Sequence, residues 1–315
     1  MAYRMRFRHW RSANLPYIAR RFRRWQERRR WRSESSSGGF IPRRALEHML
    51  VEHCNLKCRG CDKASPHLPA SFSSIDQFAS DIDALKNILR VEMFKLTGGE
   101  PLLHPKIAEF ARIIKESGMA REVALWTNGL LLHRVKPDLF EYIDVIQVTR
   151  YPGVDMVMER AAMADIAKTY GIWFEVLYKP EFLEAFLDRP DHDAARNQKI
   201  FQSCKNAHDW SCHAVQAGHY FKCSRADILR RRTGQAQEVD GVPLHAPHLR
   251  RRLEAYLEER EPLASCAWCL GTSGSSFVHR QLGKAEKDME SQKWKSVVSR
   301  PSTTKYLDSL SRPQP

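Results

Sequence analysis

The feature that most constrains the fold of this 315-residue chain is an alternation of short apolar runs with longer amphipathic segments. Strands separated by helices form right-handed βαβ units around a parallel sheet. Five or six units are too few for a closed eight-stranded barrel, so an open or partial α/β barrel with functional loops at the strand ends is expected. The predicted strands are Leu46–Glu52, Val91–Thr97, Glu122–Thr127, Ile143–Thr149 and Ile172–Tyr178, and the predicted helices are Ser74–Leu89, Lys106–Ser117 and Met156–Tyr170.

Four regions are expected along the chain. Residues 1–40 form an Arg-rich tail with a flexible linker of Ser and Gly, so ordered structure is expected to begin near Pro42. Residues 41–200 form the partial barrel. Residues 201–282 form a small Cys-rich domain with a hairpin and one basic helix, and residues 283–315 form a polar, poorly ordered tail.

The net charge of +14 is concentrated at one end of the chain. Residues 1–33 contain twelve Arg against one acid, Glu27, a net charge of +11, which leaves +3 for the other 282 residues. The nearly neutral body gives no reason to expect a nucleic-acid substrate. Interleaved Arg and aromatic residues in the tail are compatible with an amphipathic helix on an anionic membrane surface, with an arm that docks on a partner protein, with a wrongly assigned start, or with a solvated segment.

The eight cysteines are clustered, at positions 54, 58, 61, 204, 212, 223, 266 and 269. The sequence contains neither a secretory signal nor an apolar run of the ~18 residues that cross a membrane. A cytoplasmic location is therefore expected. In that reducing compartment, clustered cysteines are more typical of metal sites than of disulfides.

Cys54, Cys58 and Cys61 follow the first predicted strand with the spacing C-x3-C-x2-C. Three thiolates on one tight loop can bind three irons of a four-iron cluster and leave the fourth iron open to a substrate. A zinc loop completed by His53 or by a distant cysteine is the alternative. The next strand ends in Gly98-Gly99-Glu100, where the glycines permit close backbone approach and the carboxylate can accept hydrogen bonds.

The two motifs together, in this order and at this separation, resemble those of radical S-adenosylmethionine (SAM) enzymes over about residues 45–180, with an extension over 200–272. The resemblance implies a partial (β/α)6 TIM-like barrel and an oxidoreductase-type activity. It further implies that Cys54, Cys58 and Cys61 hold a [4Fe–4S] cluster, while Gly98, Gly99 and Glu100 contact the amine of SAM. One-electron reduction, by an external donor such as flavodoxin or ferredoxin, would cleave SAM to a 5′-deoxyadenosyl radical that abstracts a substrate hydrogen atom.

The same resemblance carries three further residues to the SAM site. Thr127 and Asn128 end the third predicted strand, and Arg150 ends the fourth. They are expected to contact SAM, or in the case of Arg150 an anionic substrate, because guanidinium binds carboxylates in a bidentate manner. A plain turn and a surface Arg are the alternatives.

A second metal site is expected from Cys212, Cys223, Cys266 and Cys269. Its layout behind the barrel resembles the auxiliary-cluster extensions called twitch or SPASM domains, with zinc as the alternative metal. Since four ligands complete a site, Cys204 is left over. It could replace Cys212 as a ligand, be a buried structural thiol, or act catalytically as a hydrogen-atom donor to a substrate radical.

Three functions are considered. The first is oxidation or epimerisation of a sugar- or cyclitol-like small metabolite in a biosynthetic pathway, favoured by a weaker likeness of residues 149–152 and of the second cysteine set to radical SAM proteins of glycan and natural-product biosynthesis. The second is modification of a short peptide. The third is a non-enzymatic zinc or iron–sulfur protein that binds nucleic acid, which the Gly98-Gly99-Glu100 motif argues against because such a protein has no use for a SAM-amine site.

Overall fold

The structure is a computed structural model that describes Phe22 and residues 24–234 and 239–298. Its strands are β1 (Ile41–Val51), β2 (Leu89–Gly98), β3 (Ala120–Thr127), β4 (Val145–Arg150), β5 (Trp173–Tyr178), β6 (Glu181–Leu183), β7 (Ala214–Gln216), β8 (His219–Phe221), β9 (Gly241–Pro243) and β10 (Ser276–Val278). Its helices are α1 (residues 24–37), α2 (Ile75–Leu85), α3 (Ile107–Ser117), α4 (Pro137–Phe140), α5 (Arg160–Tyr170), α6 (Ala194–Ser203), α7 (Ser224–Thr233), α8 (Leu249–Glu258) and α9 (Lys284–Val298).

The main sheet has the strand order β5-β4-β3-β2-β1-β7-β8-β9. Strands β1 to β5 are parallel, and β7 adds a sixth parallel strand beside β1, where Ala214 pairs with Glu47. Strands β7, β8 and β9 then form an antiparallel meander. The expected α/β fold with a mostly parallel, partial barrel is therefore confirmed, with the Cys-rich region continuing the same sheet.

The two faces of the sheet differ in chemistry because side chains alternate along each strand. Leu46 of β1 and Phe94 of β2 lie in the main core together with Phe78 of α2 and Phe110 of α3, and all four are fully buried. Burial of each such side chain stabilises the fold by about 1.5–3 kcal/mol. The opposite face carries charged and aromatic side chains and forms the wall of a cavity.

Helix α1 replaces the flexible linker that the composition favours, since the helix continues to residue 37 and only Gly38 and Gly39 form a turn. The predicted start of order near Pro42 is therefore wrong. Arg24 and Arg28, one helical turn apart, both contact Glu122 near the start of β3, and Arg32 pairs with Glu92 near the start of β2. These long-range ion pairs fix a segment whose local composition suggests disorder. The rest of the Arg-rich tail lies outside the described residues.

Helix α9 likewise occupies part of the tail expected to be poorly ordered. Its Trp294 is buried against Ile228 and Met49, and the guanidinium of Arg232 lies 4.1 Å from the centre of the indole ring. One large aromatic side chain thus anchors an otherwise polar helix. Residues 299–315 lie outside the described residues. Within the described part of the chain, no helix is both long and apolar enough to cross a membrane.

Candidate active site

The three-cysteine loop leaves the end of β1 and lies at one end of a cavity of about 710 Å³, which Cys54, Cys58 and Cys61 all line. The segment before α9 holds this loop in place. Gln281 accepts a hydrogen bond from the Lys57 amide at 2.6 Å and donates one to the Cys58 sulfur at 3.3 Å. A C-terminal segment therefore helps to shape the loop, which the sequence motif does not indicate.

The donor chemistry of this loop fits an iron–sulfur cluster. Burial raises the pKa of the Cys54 and Cys58 thiols to about 12, so the binding of iron would displace their protons. In the described part of the chain, no three His, Cys, Asp or Glu side chains converge on a point as the ligands of a single ion would. Thiolates that each bind a different iron of a cluster need not converge in that way.

The Gly98-Gly99 pair packs directly against the start of the cysteine loop. The amide of Gly99 donates to the Val51 carbonyl at 2.7 Å. A Cβ atom on Gly98 would lie 2.4 Å from the carbonyl oxygen of Val51, and one on Gly99 would lie 2.1 Å from that of His53. Any side chain at either position would separate the end of β2 from the loop, so glycine is required for steric reasons.

The Glu100 carboxylate lies beneath the residues that end β3. It is fully buried and accepts hydrogen bonds from the Thr127 hydroxyl at 2.6 Å, the Asn128 amide at 2.9 Å and the Leu102 amide at 3.1 Å. Burial raises the pKa of Glu100 to about 7, although these hydrogen bonds favour the ionised form. The structure thus brings together Glu100, Thr127 and Asn128, with the latter two on the wall of the cavity.

Arg150 lies elsewhere. Gln147 and Thr149 of β4 line the cavity, and the alternation of side chains places Arg150 on the other face of the strand. Its Nε is buried and has no hydrogen-bond partner among the described residues. The geometry therefore does not support the expected contact of Arg150 with SAM.

The second cysteine group differs from the expected set in one member. A separate small pocket is lined by Cys204, Cys223, Cys266 and Cys269, with Arg225 beside them. Gly271 leaves room for this group, because a Cβ atom there would lie 3.2 Å from the Cys204 sulfur.

Cys212 lines the main cavity instead. The reason is topological, since Cys212 lies just before β7, and β7 pairs with β1, whose inner face forms the cavity wall.

Sequence reasoning missed a group of charged residues on the inner face of the sheet and on the adjoining cysteine loop. Lys63 forms an ion pair with Glu47, and the Lys95 ammonium lies 3.9 Å from the Cys212 sulfur and 4.4 Å from the centre of the Trp126 ring. Burial disfavours ionisation of Glu47, but Lys63 and Lys95 outweigh it and hold the pKa of Glu47 below its usual value. The sequence does contain one signal of this group. Lys95 is a charged residue between two apolar neighbours on a predicted strand, which indicates a polar inner face.

A mostly parallel α/β sheet with a three-cysteine loop after its first strand and a Gly-Gly-Glu turn after its second defines a radical SAM domain. Residues 49–160 match the family model described as the Radical SAM superfamily, so this chain carries such a domain. Members of this superfamily use a [4Fe–4S] cluster and SAM.

The chain is similar to two bacterial GTP 3′,8-cyclases over part of its length. It is 32% identical over 100 residues to the enzyme of Microcystis aeruginosa, covering 30% of each chain. It is 39% identical over 93 residues to that of Chlorobaculum tepidum, covering 29% of this chain and 28% of the relative. The match thus spans less than a third of these relatives. Among solved structures, BtrN in complex with AdoMet and 2-DOIA matches 68% of this chain and 82% of its own, with 15% identity and a TM-score of 0.45.

Proposed function

We propose that this protein is a radical SAM enzyme that abstracts a hydrogen atom from a sugar- or cyclitol-like metabolite and epimerises or oxidises it. One observation carries the proposal. A single cavity is lined at one end by the three-cysteine loop, beside it by Thr127 and Asn128, and further along by polar side chains such as Lys95 and Glu47. Cofactor, SAM and substrate can therefore meet in one cavity.

Each part of the chain has a defined task in this proposal. Cys54, Cys58 and Cys61 bind three irons. The Glu100 carboxylate, buried behind the cavity wall, holds Thr127 and Asn128 in place, and these two residues line the space beside the cysteine loop where the amine of SAM would lie. When bound, the cluster and SAM supply a 5′-deoxyadenosyl radical that removes a hydrogen atom from the substrate. The electron comes from an external one-electron donor of the flavodoxin or ferredoxin class.

The inner wall of the cavity carries groups suited to a hydroxylated substrate. The Glu47 carboxylate can accept hydrogen bonds from substrate hydroxyls, and the Lys63 and Lys95 ammonium groups can donate to substrate oxygens. Trp126 and Tyr151 line the same cavity and offer flat surfaces to the C–H faces of a ring. The family match over residues 49–160 supports SAM chemistry. The similarity to GTP 3′,8-cyclases covers less than a third of those relatives, and the cavity wall is what favours a small polar substrate here.

The position of Cys212 favours epimerisation over oxidation. Its thiol faces the cavity, so it can donate a hydrogen atom to the face of the substrate radical opposite the one attacked. The substrate C–H bond breaks, a new C–H bond forms from the S–H hydrogen, and a Cys212 thiyl radical remains. One electron from the external donor and one proton from solvent restore the thiol. Cys212, rather than Cys204, therefore takes the hydrogen-donor role.

The second cysteine group is proposed to hold an auxiliary iron–sulfur cluster with Cys204, Cys223, Cys266 and Cys269 as ligands. Four soft sulfur donors also suit zinc, and the two metals differ in their measurable content and absorption. If the site holds iron, it can relay electrons between the external donor and the cavity. In the oxidative outcome it would accept an electron from the substrate radical, which would also lose a proton.

Anaerobic reconstitution with iron and sulfide followed by reduction in the presence of SAM tests the proposal. We expect 5′-deoxyadenosine from the wild type, none from Cys58→Ala, and retained cleavage in Cys212→Ala. With a panel of hexoses and cyclitols in deuterium oxide, an epimerised product should carry one deuterium from solvent. The Cys212→Ala variant should form no such product. Failure of the wild type to cleave SAM would refute the enzyme assignment. A turned-over product without deuterium would refute the role of Cys212 and leave oxidation.

A further inference from the structure

A cleft of about 620 Å³ lies at the other end of the molecule from the three-cysteine loop, between α1, the start of β1 and the loop before β7. Arg44 and Trp210 line both this cleft and the main cavity, so the two spaces meet at these residues. The remaining lining residues are Arg32, Pro42, Arg43, His208, Asp209 and Ser211. The proposed function makes no use of this cleft.

The cleft has more positive charge than its own acids balance. Arg32 is already paired with Glu92. Neither Arg43 nor Arg44 has an ion-pair partner among the described residues, and Asp209 is the one carboxylate in the lining. Arg44 is oriented by a 2.7 Å hydrogen bond from its Nη1 to the main-chain oxygen of Asp209.

Trp210 provides a second kind of contact at the same place. Its side chain is 46% exposed at the edge of the cleft. The loop that carries it is well anchored, since the Trp210 amide donates to the Lys205 carbonyl at 2.7 Å and the Cys212 amide donates to the Asn206 carbonyl at 2.8 Å. An exposed indole fixed beside two guanidinium groups can stack on a planar ring while the guanidinium groups bind phosphate.

The distance between the cleft and the three-cysteine loop sets the size of a ligand that uses both. Arg44 precedes Val51, the last residue of β1, by seven residues. At about 3.3 Å per residue this is a span of about 23 Å. SAM occupies the end near the cysteines. The remaining length of the cavity and cleft exceeds one sugar ring. It fits a sugar attached to an extended, charged group.

We infer that the cleft binds the phosphate groups of a nucleoside diphosphate that carries the substrate, with the base stacked on Trp210 and the attached sugar extending into the main cavity. This inference deepens the proposed function by naming the substrate class. Arg43 and Arg44 recognise the diphosphate, and Trp210 recognises the base.

Calorimetric titration of the full-length reconstituted protein with uridine diphosphate, guanosine diphosphate and inorganic pyrophosphate tests the inference without any turnover. We expect Arg43→Gln and Arg44→Gln each to lower the affinity for all three ligands at least tenfold, because each removes a hydrogen bond to a charged group. Trp210→Ala should lower the affinity for the two nucleotides and leave the affinity for pyrophosphate unchanged. Arg112→Gln on α3, an exposed Arg paired with Glu116, is the matched control and should bind as the wild type does.

Three results would overturn the inference: no binding of either nucleotide at millimolar concentration, wild-type affinity in both Arg variants, or single-stranded RNA binding far more tightly than a mononucleotide. Thermal melting of each variant shows whether a loss of binding reflects unfolding. A protein that binds nucleotides but yields no 5′-deoxyadenosine would refute the proposed function and leave the cleft assignment intact. A protein that yields 5′-deoxyadenosine but binds no nucleotide would refute the cleft assignment alone.

Discussion

The hydrogen bond from Thr127 to Glu100 should set the pH range over which this protein binds SAM. The pKa of Glu100 is about 7 because burial outweighs three hydrogen bonds to the carboxylate. Only the ionised carboxylate is a pure hydrogen-bond acceptor for Thr127, Asn128 and Leu102, and these bonds hold the part of the cavity wall at which the amine of SAM would bind. SAM affinity should therefore rise as the pH rises through about 7 and level off above it.

Thr127→Val removes the hydroxyl that donates to Glu100 at 2.6 Å and keeps the shape of the side chain. A hydrogen bond to a charged group contributes about 1.5–3 kcal/mol, and about 1.4 kcal/mol corresponds to one pKa unit. Loss of about 2 kcal/mol would move the pKa of Glu100 from about 7 to about 8.5. At pH 7.5 the ionised fraction falls about eightfold, and at pH 9 it falls by less than a factor of about 1.5.

Calorimetric measurement of SAM affinity between pH 6.5 and 9 on reconstituted protein checks this. Thr127→Ser keeps the hydroxyl and should give the wild-type midpoint. A Thr127→Val protein that binds SAM more weakly by the same factor at every pH would refute the reasoning, because a packing defect alone has no pH midpoint.

Three other outcomes follow from the structure. Cys204→Ala should lower the iron content of the reconstituted protein by about four irons per chain relative to Cys212→Ala, because the structure places Cys204, not Cys212, with the second cysteine group. Deletion of residues 1–38 should preserve SAM cleavage but lower the free energy of unfolding in chemical denaturation by about 2 kcal/mol, since the buried Glu122 loses Arg24 and Arg28. Arg225→Met should lower the reduction potential of a second cluster by about 100 mV in a redox titration followed by electron paramagnetic resonance, because it removes a positive charge beside Cys269.

The sequence was sufficient for those parts of the site whose chemistry depends on local spacing. Three cysteines must share one loop, and Gly98 and Gly99 must be adjacent to pass beside Val51. Such requirements depend only on residues that are close together in the sequence. The strand and helix alternation was equally local, and it predicted the parallel sheet.

The choice between Cys204 and Cys212 could not be made in this way. Spacing alone cannot show that β7 pairs with β1 and turns Cys212 toward the cavity. The docking of helix α1 on the sheet could not be predicted for a related reason, because its order depends on Glu92 and Glu122, which lie 60 to 98 residues further along the chain. Contacts between distant segments override the disorder that composition favours.

The two cysteine groups are connected by one buried side chain, and under the proposed function this connection has a role. Arg225 follows Cys223 by two residues on α7, and its Nη1 lies 3.9 Å from the Cys269 sulfur. Its Nη2 lies 3.6 Å from the carboxylate of Asp62, the residue after Cys61. One guanidinium therefore contacts a sulfur of the second group and the loop of the first. In the proposed function, two redox centres that exchange electrons would have their potentials coupled through this guanidinium.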